Sequence, residues 1–159
     1  MIPENIFWAA LARSSTIHDL RSYDHGPGHW QRVAQNGIEL ANYTEGADVE
    51  VVTFFALFHD TMRQNEWSDP EHGKRGFELA QTLGVEALLT PAQRHKFGLA
   101  VVRHDFGEVE SDPTIGCCWD ADRLDLPRVG IVPDERLMST EAGKSAARRL
   151  ERELLGERR

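Results

Sequence analysis

Apolar positions along this chain fall into short blocks separated by polar turns, and most of the blocks repeat at helical spacing. Residues from about Glu4 to Arg13 place Phe7, Trp8 and Leu11 in a first helix, and Ser14 to Arg21 predict a second, short one. Tyr23-Asp24-His25-Gly26-Pro27-Gly28 reads as a loop, because glycine and proline break the pattern. A helix then runs from His29 to about Tyr43, carrying Val33, Ile38, Leu40 and Ala41. The next block differs. Val51-Val52-Thr53-Phe54-Phe55-Ala56-Leu57-Phe58 is a nearly continuous apolar run that ends on His59-Asp60. Periodicity does not separate a buried helix from a buried strand here. The helical neighbours favour a buried helix that starts at Gly46-Ala47-Asp48.

Met62 to Ser68 is a polar loop. Asp69-Pro70 supplies an N-cap followed by proline at the first helical position, and predicts a helix to about Leu83. Thr90-Pro91-Ala92-Gln93 is a capping box for a helix that ends near His104-Asp105. Asp112-Pro113 repeats the aspartate-proline signal before Ile115 to Leu124. Ser139-Thr140-Glu141 opens a last helix, from about Glu141 to Leu155, with Ala146, Ala147, Leu150 and Leu154 spaced among charges as on a solvated amphipathic helix. Strand and hairpin signals are almost absent. The expected class is all-α, and 159 residues suit one domain spanning 1–159 with a single core.

Composition narrows the partners. A formal net charge of −8 argues against wrapping an extended nucleic acid. A small phosphorylated molecule is still allowed, because a local cluster of cations overrides the global sign. No apolar segment is long enough to span a bilayer, and Met1-Ile2-Pro3-Glu4-Asn5 lacks the features of a signal peptide. Cys117 and Cys118 are adjacent, a poor pair for a structural disulfide, and read as packing residues. The expectation is a cytoplasmic protein without a membrane partner.

The chemistry gathers where polar residues terminate apolar runs, since such residues must be paired, hydrogen-bonded or bound to metal. Of three His-Asp dipeptides, His18-Asp19 follows no apolar run and reads as part of a solvated helix face. His59-Asp60 and His104-Asp105 each end one, and side-by-side packing of those segments would bring their ends together. Imidazole nitrogen and carboxylate oxygen suit a first-row divalent ion. Asp120 and Asp122 add two closely spaced carboxylates in Trp119-Asp120-Ala121-Asp122-Arg123-Leu124. His25 and His95 read as a loop and a surface histidine, and Arg123 as a partner in a structural ion pair.

This ordered set resembles the HD-domain metal-dependent phosphohydrolase superfamily. Its pattern of a histidine, a His-Asp pair and a distant aspartate maps onto His29 in His29-Trp30-Gln31-Arg32-Val33, onto His59-Asp60, and onto Asp122 in Ala121-Asp122-Arg123-Leu124. The resemblance covers roughly 24–126. It implies an HD-like helical bundle around a central metal site, and it favours Asp122 over Asp120 as the ligand. In dinuclear members two further histidines hold a second ion, and His72 and His104 occupy those places in order; the other reading gives His72 a hydrogen bond to a substrate phosphate. The implied cofactor is one or two divalent transition-metal ions (Mn, Fe, Co, Ni or Zn), with Asp60 holding or bridging them. The implied activity is hydrolysis of a small phosphorylated substrate, a nucleotide or phosphodiester among the options, by a metal-activated water. Arg63, one helical turn past Asp60, and Lys74-Arg75 are the candidates for gripping phosphate, against ordinary surface charge. Two alternatives remain: a dinuclear-iron oxygenase using the same six ligands, and a non-catalytic metal-stabilised binding module.

Overall fold

The computed structural model describes residues 1–17, 19–22 and 24–156. Seven α-helices are present among them: α1 (Glu4–Ser14), α2 (Pro27–Asn42), α3 (Val49–Phe58), α4 (His72–Thr82), α5 (Pro91–Arg103), α6 (Pro113–Arg123) and α7 (Glu141–Gly156). Short 3-10 turns at Val85–Leu88, Leu126–Val129 and Glu135–Leu137 complete the ordered elements, and no strand occurs among the described residues.

Helix α3 is the axis of the molecule. Its apolar residues face every direction, so it must be covered on all sides; α1, α2, α4, α5 and α6 all pack against it. Val51, Val52, Phe54, Phe55, Ala56, Leu57 and Phe58 are all buried. The run is therefore a buried helix and not a strand. Asp48 starts it by accepting hydrogen bonds from the Glu50 and Val51 amides at 2.9 and 3.2 Å. His59 is its C-terminal cap residue, so the end of the helix falls where the chemistry begins.

The capping box at Thr90–Gln93 forms, with both reciprocal hydrogen bonds present. Cys117 and Cys118 are buried free thiols within the core. Helix α7 buries Ala146 and Ala147 and leaves its charged residues outward. Two expectations need correction. Residues 15–17 and 20–21 form turns instead of a second helix, since the Ser15 and Thr16 hydroxyls bond back to the Ala12 and Arg13 carbonyls. Asp19 is exposed in that segment, and the expectation for His18 lies outside the described residues. Asp69 does not cap α4, which begins at His72 after a turn. Its carboxylate is taken instead by Arg75 Nη2, at 2.7 and 2.6 Å from its two oxygens, and by the Gln64 amide at 2.8 Å. A charge-assisted contact with guanidinium outcompetes a neutral cap.

Asp112 does cap as expected, accepting from the Thr114 and Ile115 amides at 2.9 and 3.1 Å, with Lys96 Nζ 2.9 Å from its other oxygen. Burial pushes this carboxyl up, but Lys96 and the two amides outweigh it and hold it below its usual value. Asp112→Ala is expected to cost about 1 kcal/mol at neutral pH. Because the folded-state value is depressed, that contribution is present above about pH 4 and fades as the pH falls through the folded-state value. Urea midpoints of wild type and variant measured at pH 7 and pH 3 should therefore converge at the lower pH.

Candidate metal centre

Four elements deliver the histidines to one place. His29 sits in the first turn of α2, which opens at Pro27 and so takes in the last two residues of the expected loop; His59 caps the end of α3; His72 opens α4; and His104 caps the end of α5. All four are buried. His29 and His59 approach with their Nε2 atoms 3.0 Å apart, and His72 and His104 with theirs 2.9 Å apart. Asp60 stands between the pairs. One of its oxygens lies 3.4 and 3.7 Å from the Nε2 atoms of His29 and His59, and the other 3.1 and 3.7 Å from those of His72 and His104. Asp122, at the end of α6, adds Oδ1 at 3.3 Å from His29 Nε2.

The tautomers follow from the outer partners. His29 Nδ1 faces the Asp125 carboxylate at 2.7 Å, His104 Nδ1 faces the Val101 carbonyl at 2.9 Å, and His72 Nδ1 faces the Asp69 carbonyl. His59 Nδ1 lies 3.1 Å from the Ala56 carbonyl and 3.3 Å from that of Phe55. Each of these partners only accepts, so every Nδ1 carries the proton and every neutral ring presents a bare Nε2 lone pair. Lone pairs facing one another at about 3 Å, beside two carboxylates, repel unless positive charge lies among them. Asp122 Oδ1 is sealed from solvent and makes no hydrogen bond among the described residues. Both observations fit a cation. Two sets of side chains, His29-His59-Asp122 and Asp60-His72-His104, have ligand atoms within 4.8 Å of one another and can each hold a metal ion.

Proton equilibria report the same demand. Burial alone pushes the His29 imidazole down, yet the carboxylates of Asp122, Asp125 and Asp60 carry it up to about 10. Burial also works against a charged His104, and Asp60 and Asp122 raise it nonetheless. For His59 burial prevails and takes it down to about 3. Burial pushes Asp60 up, but the surrounding histidines hold it well below the carboxylate range. Around His29 and His104 the carboxylates favour positive charge against the cost of burial.

The remaining candidates divide. Arg63 is brought to the cluster, its Nη1 3.2 Å from His72 Nε2 and 3.5 Å from Asp60 Oδ1. Lys74 and Arg75 are given other partners: Lys74 is exposed and pairs with Glu71 at 3.7 Å, while Arg75 bonds Asp69 and, at 3.2 Å, the Met62 carbonyl. Asp120 faces away from the histidines and ties α6 to the start of α7, accepting from the Ser139 and Thr140 amides and the Thr140 hydroxyl at 2.7, 2.8 and 2.8 Å. Arg123 donates to the backbone carbonyls of Leu137 and Glu108, so the expected ion pair is replaced by contacts that pin two loops. His95 is exposed, and His25 is half-buried beside Glu66. Two residues were missed by sequence reasoning. Asp125 supports His29 from behind, and Arg128 has a buried guanidinium 3.9 Å from Asp122 Oδ1, with Nε donating to the Asp24 carbonyl at 2.6 Å. A second acidic residue three positions past Asp122, one helical turn on, was the available signal for Asp125.

No protein-family model and no curated protein matches the chain. Among solved structures, a protein from an uncultured Thermotogales bacterium, described as a predicted HD superfamily hydrolase, superposes with a TM-score of 0.73. The match covers 96% of this chain and 87% of the other at 23% sequence identity. At that identity the likeness establishes the fold alone: this chain shares the helical fold of that protein. No helix among the described residues is long and apolar enough to cross a membrane.

Proposed function

We propose that this chain is a metal-dependent phosphohydrolase of the HD type, acting on a small phosphorylated substrate and holding one or two divalent transition-metal ions. The observation that carries the reading is the position of Asp60, with one oxygen toward each histidine pair. His29, His59 and Asp122 would hold one ion and His72 and His104 the other, with Asp60 between them. When bound, such ions supply an acidified water nucleophile and neutralise charge on a phosphoryl group.

The chain's own residues do the rest. Asp60 keeps the two histidine pairs in register. Arg63 is aimed inward because Nε and Nη2 are engaged by the Asn65 and Trp67 carbonyls at 3.1 and 2.8 Å, and its side chain is only 13% exposed. A guanidinium held in place beforehand stabilises developing charge on phosphate oxygens without reorganising. The net charge of −8 and the enclosed cluster support a small substrate over a polymer.

The test is turnover of a panel of phosphomonoesters and phosphodiesters, nucleotides included, by metal-loaded protein. Wild type should hydrolyse at least one class, and Arg63→Ala should lower that rate roughly 100-fold or more, with metal content unchanged. The oxygenase reading rests on the same six side chains; two irons per chain with no hydrolysis would favour it. Metal that raises the melting temperature, with turnover of no phosphoester, would favour a binding module.

A further inference from the structure

We propose that Asp125 is a positioning residue that makes His29, His59 and Asp122 the tighter of two cation sites. The inference deepens the metal-centre reading, on which it rests. Its basis is an asymmetry among the four rings. His59, His72 and His104 each lean their Nδ1 on a backbone carbonyl. His29 alone among the four leans on a carboxylate, Asp125 Oδ2, at 2.7 Å. The other oxygen of Asp125, Oδ1, accepts from Arg32 Nε at 2.7 Å, and Arg128 Nε lies 3.9 Å from the Oδ2 that faces His29.

Either kind of acceptor fixes the tautomer and the ring plane. A carboxylate does more: its charge polarises the imidazole and makes the opposite nitrogen a better electron-pair donor. That nitrogen, His29 Nε2, faces Asp60, Asp122 and His59. In the Asp60-His72-His104 set the carboxylate facing an outer ring nitrogen is Asp105 Oδ2, 3.9 Å from His72 Nδ1 and beyond hydrogen-bond reach. A guanidinium stands beside each set, Arg63 by His72 and Arg128 by Asp122, so the hydrogen-bonded carboxylate is what differs. Affinity should therefore be stepwise, with the His29 side filling first. The rival account makes Asp125 a brace that ties the end of α6 to α2 through Arg32.

The experiment is a titration of metal-free full-length protein with Co2+, followed by visible absorption and calorimetry, for wild type, Asp125→Asn and Arg32→Gln. Asn fills the same space without the charge, and Arg32→Gln cuts the brace while leaving the carboxylate on His29. Expected for Asp125→Asn is a tight phase weakened about 10- to 100-fold, with an altered Co2+ spectrum, the weaker phase unchanged and the metal-free melting temperature close to that of Arg32→Gln. Arg32→Gln should keep the tight phase. A tight phase that ignores Asp125→Asn overturns the proposal, and so do equal losses in both phases or in both variants. Wild type that binds no Co2+ at all overturns the metal-centre reading along with it.

Discussion

Asp60→Ala is expected to abolish stoichiometric metal binding, and with it any phosphoester turnover. The side chain is 3% exposed and lies among four Nε2 atoms, so its removal takes an anionic oxygen from both histidine pairs at once. A ligand that binds only the folded state stabilises it by RT ln(1 + [L]/Kd), about 2.7 kcal/mol at a hundred times Kd. Wild type should therefore melt several degrees higher with metal, and Asp60→Ala should show no such gain. Asp60→Asn is the sharper variant, because it keeps the volume. Asn offers one oxygen to one pair and an amide N–H to the other, and that N–H satisfies the lone pairs a cation would need. At most one ion should remain, with lowered affinity. Elemental analysis and melting curves with and without metal check both variants; full metal retention in either would remove Asp60 from the centre.

What the sequence disclosed and what it concealed have different physical origins. Helix α3 was legible because a run that is apolar on every face has few places to go, and a histidine and aspartate at its end demand partners. The capped starts at Thr90 and Asp112 were legible because capping is local, settled within three residues. Asp69-Pro70 carried the same letters as Asp112-Pro113 and behaved differently, because Arg75 was within reach to claim the carboxylate. Asp125 meets His29 across 96 positions of sequence, from just ahead of a 3-10 turn, so its spacing from Asp122 hinted at a shared face but nothing local named its partner. Arg63 and Arg75 were both candidates for phosphate in the sequence, Arg63 the stronger by its spacing from Asp60; the fold shows how they part, one guanidinium clamped to Asp69 and the other turned into the cluster.

The two glycines of α4 were silent in the sequence for a related reason, since a close approach of backbones leaves no mark except the absence of a side chain. A Cβ on Gly76 would lie 2.1 Å from the Phe58 carbonyl oxygen, and one on Gly73 2.4 Å from that of Val101. Helix α4 thus rests against the last turns of α3 and α5, the helices that carry His59 and His104. Taken as an isolated helix, Gly76→Ala should stabilise by about 1 kcal/mol. The contact reverses that sign, because the obstacle is a backbone oxygen and no rotamer can relieve it. Helix α4 must shift away from α3 and carry His72, now 3.1 Å from Asp60, with it. The expected cost is about 3 kcal/mol, or about 10 °C in melting temperature for a chain of this size, together with loss of the ion held by His72 and His104. Gly156→Ala, where an added Cβ meets nothing within 4 Å, is the control and should leave both unchanged. A Gly76→Ala protein that melts with wild type and keeps its full metal content would show that α4 does not depend on this contact to place His72.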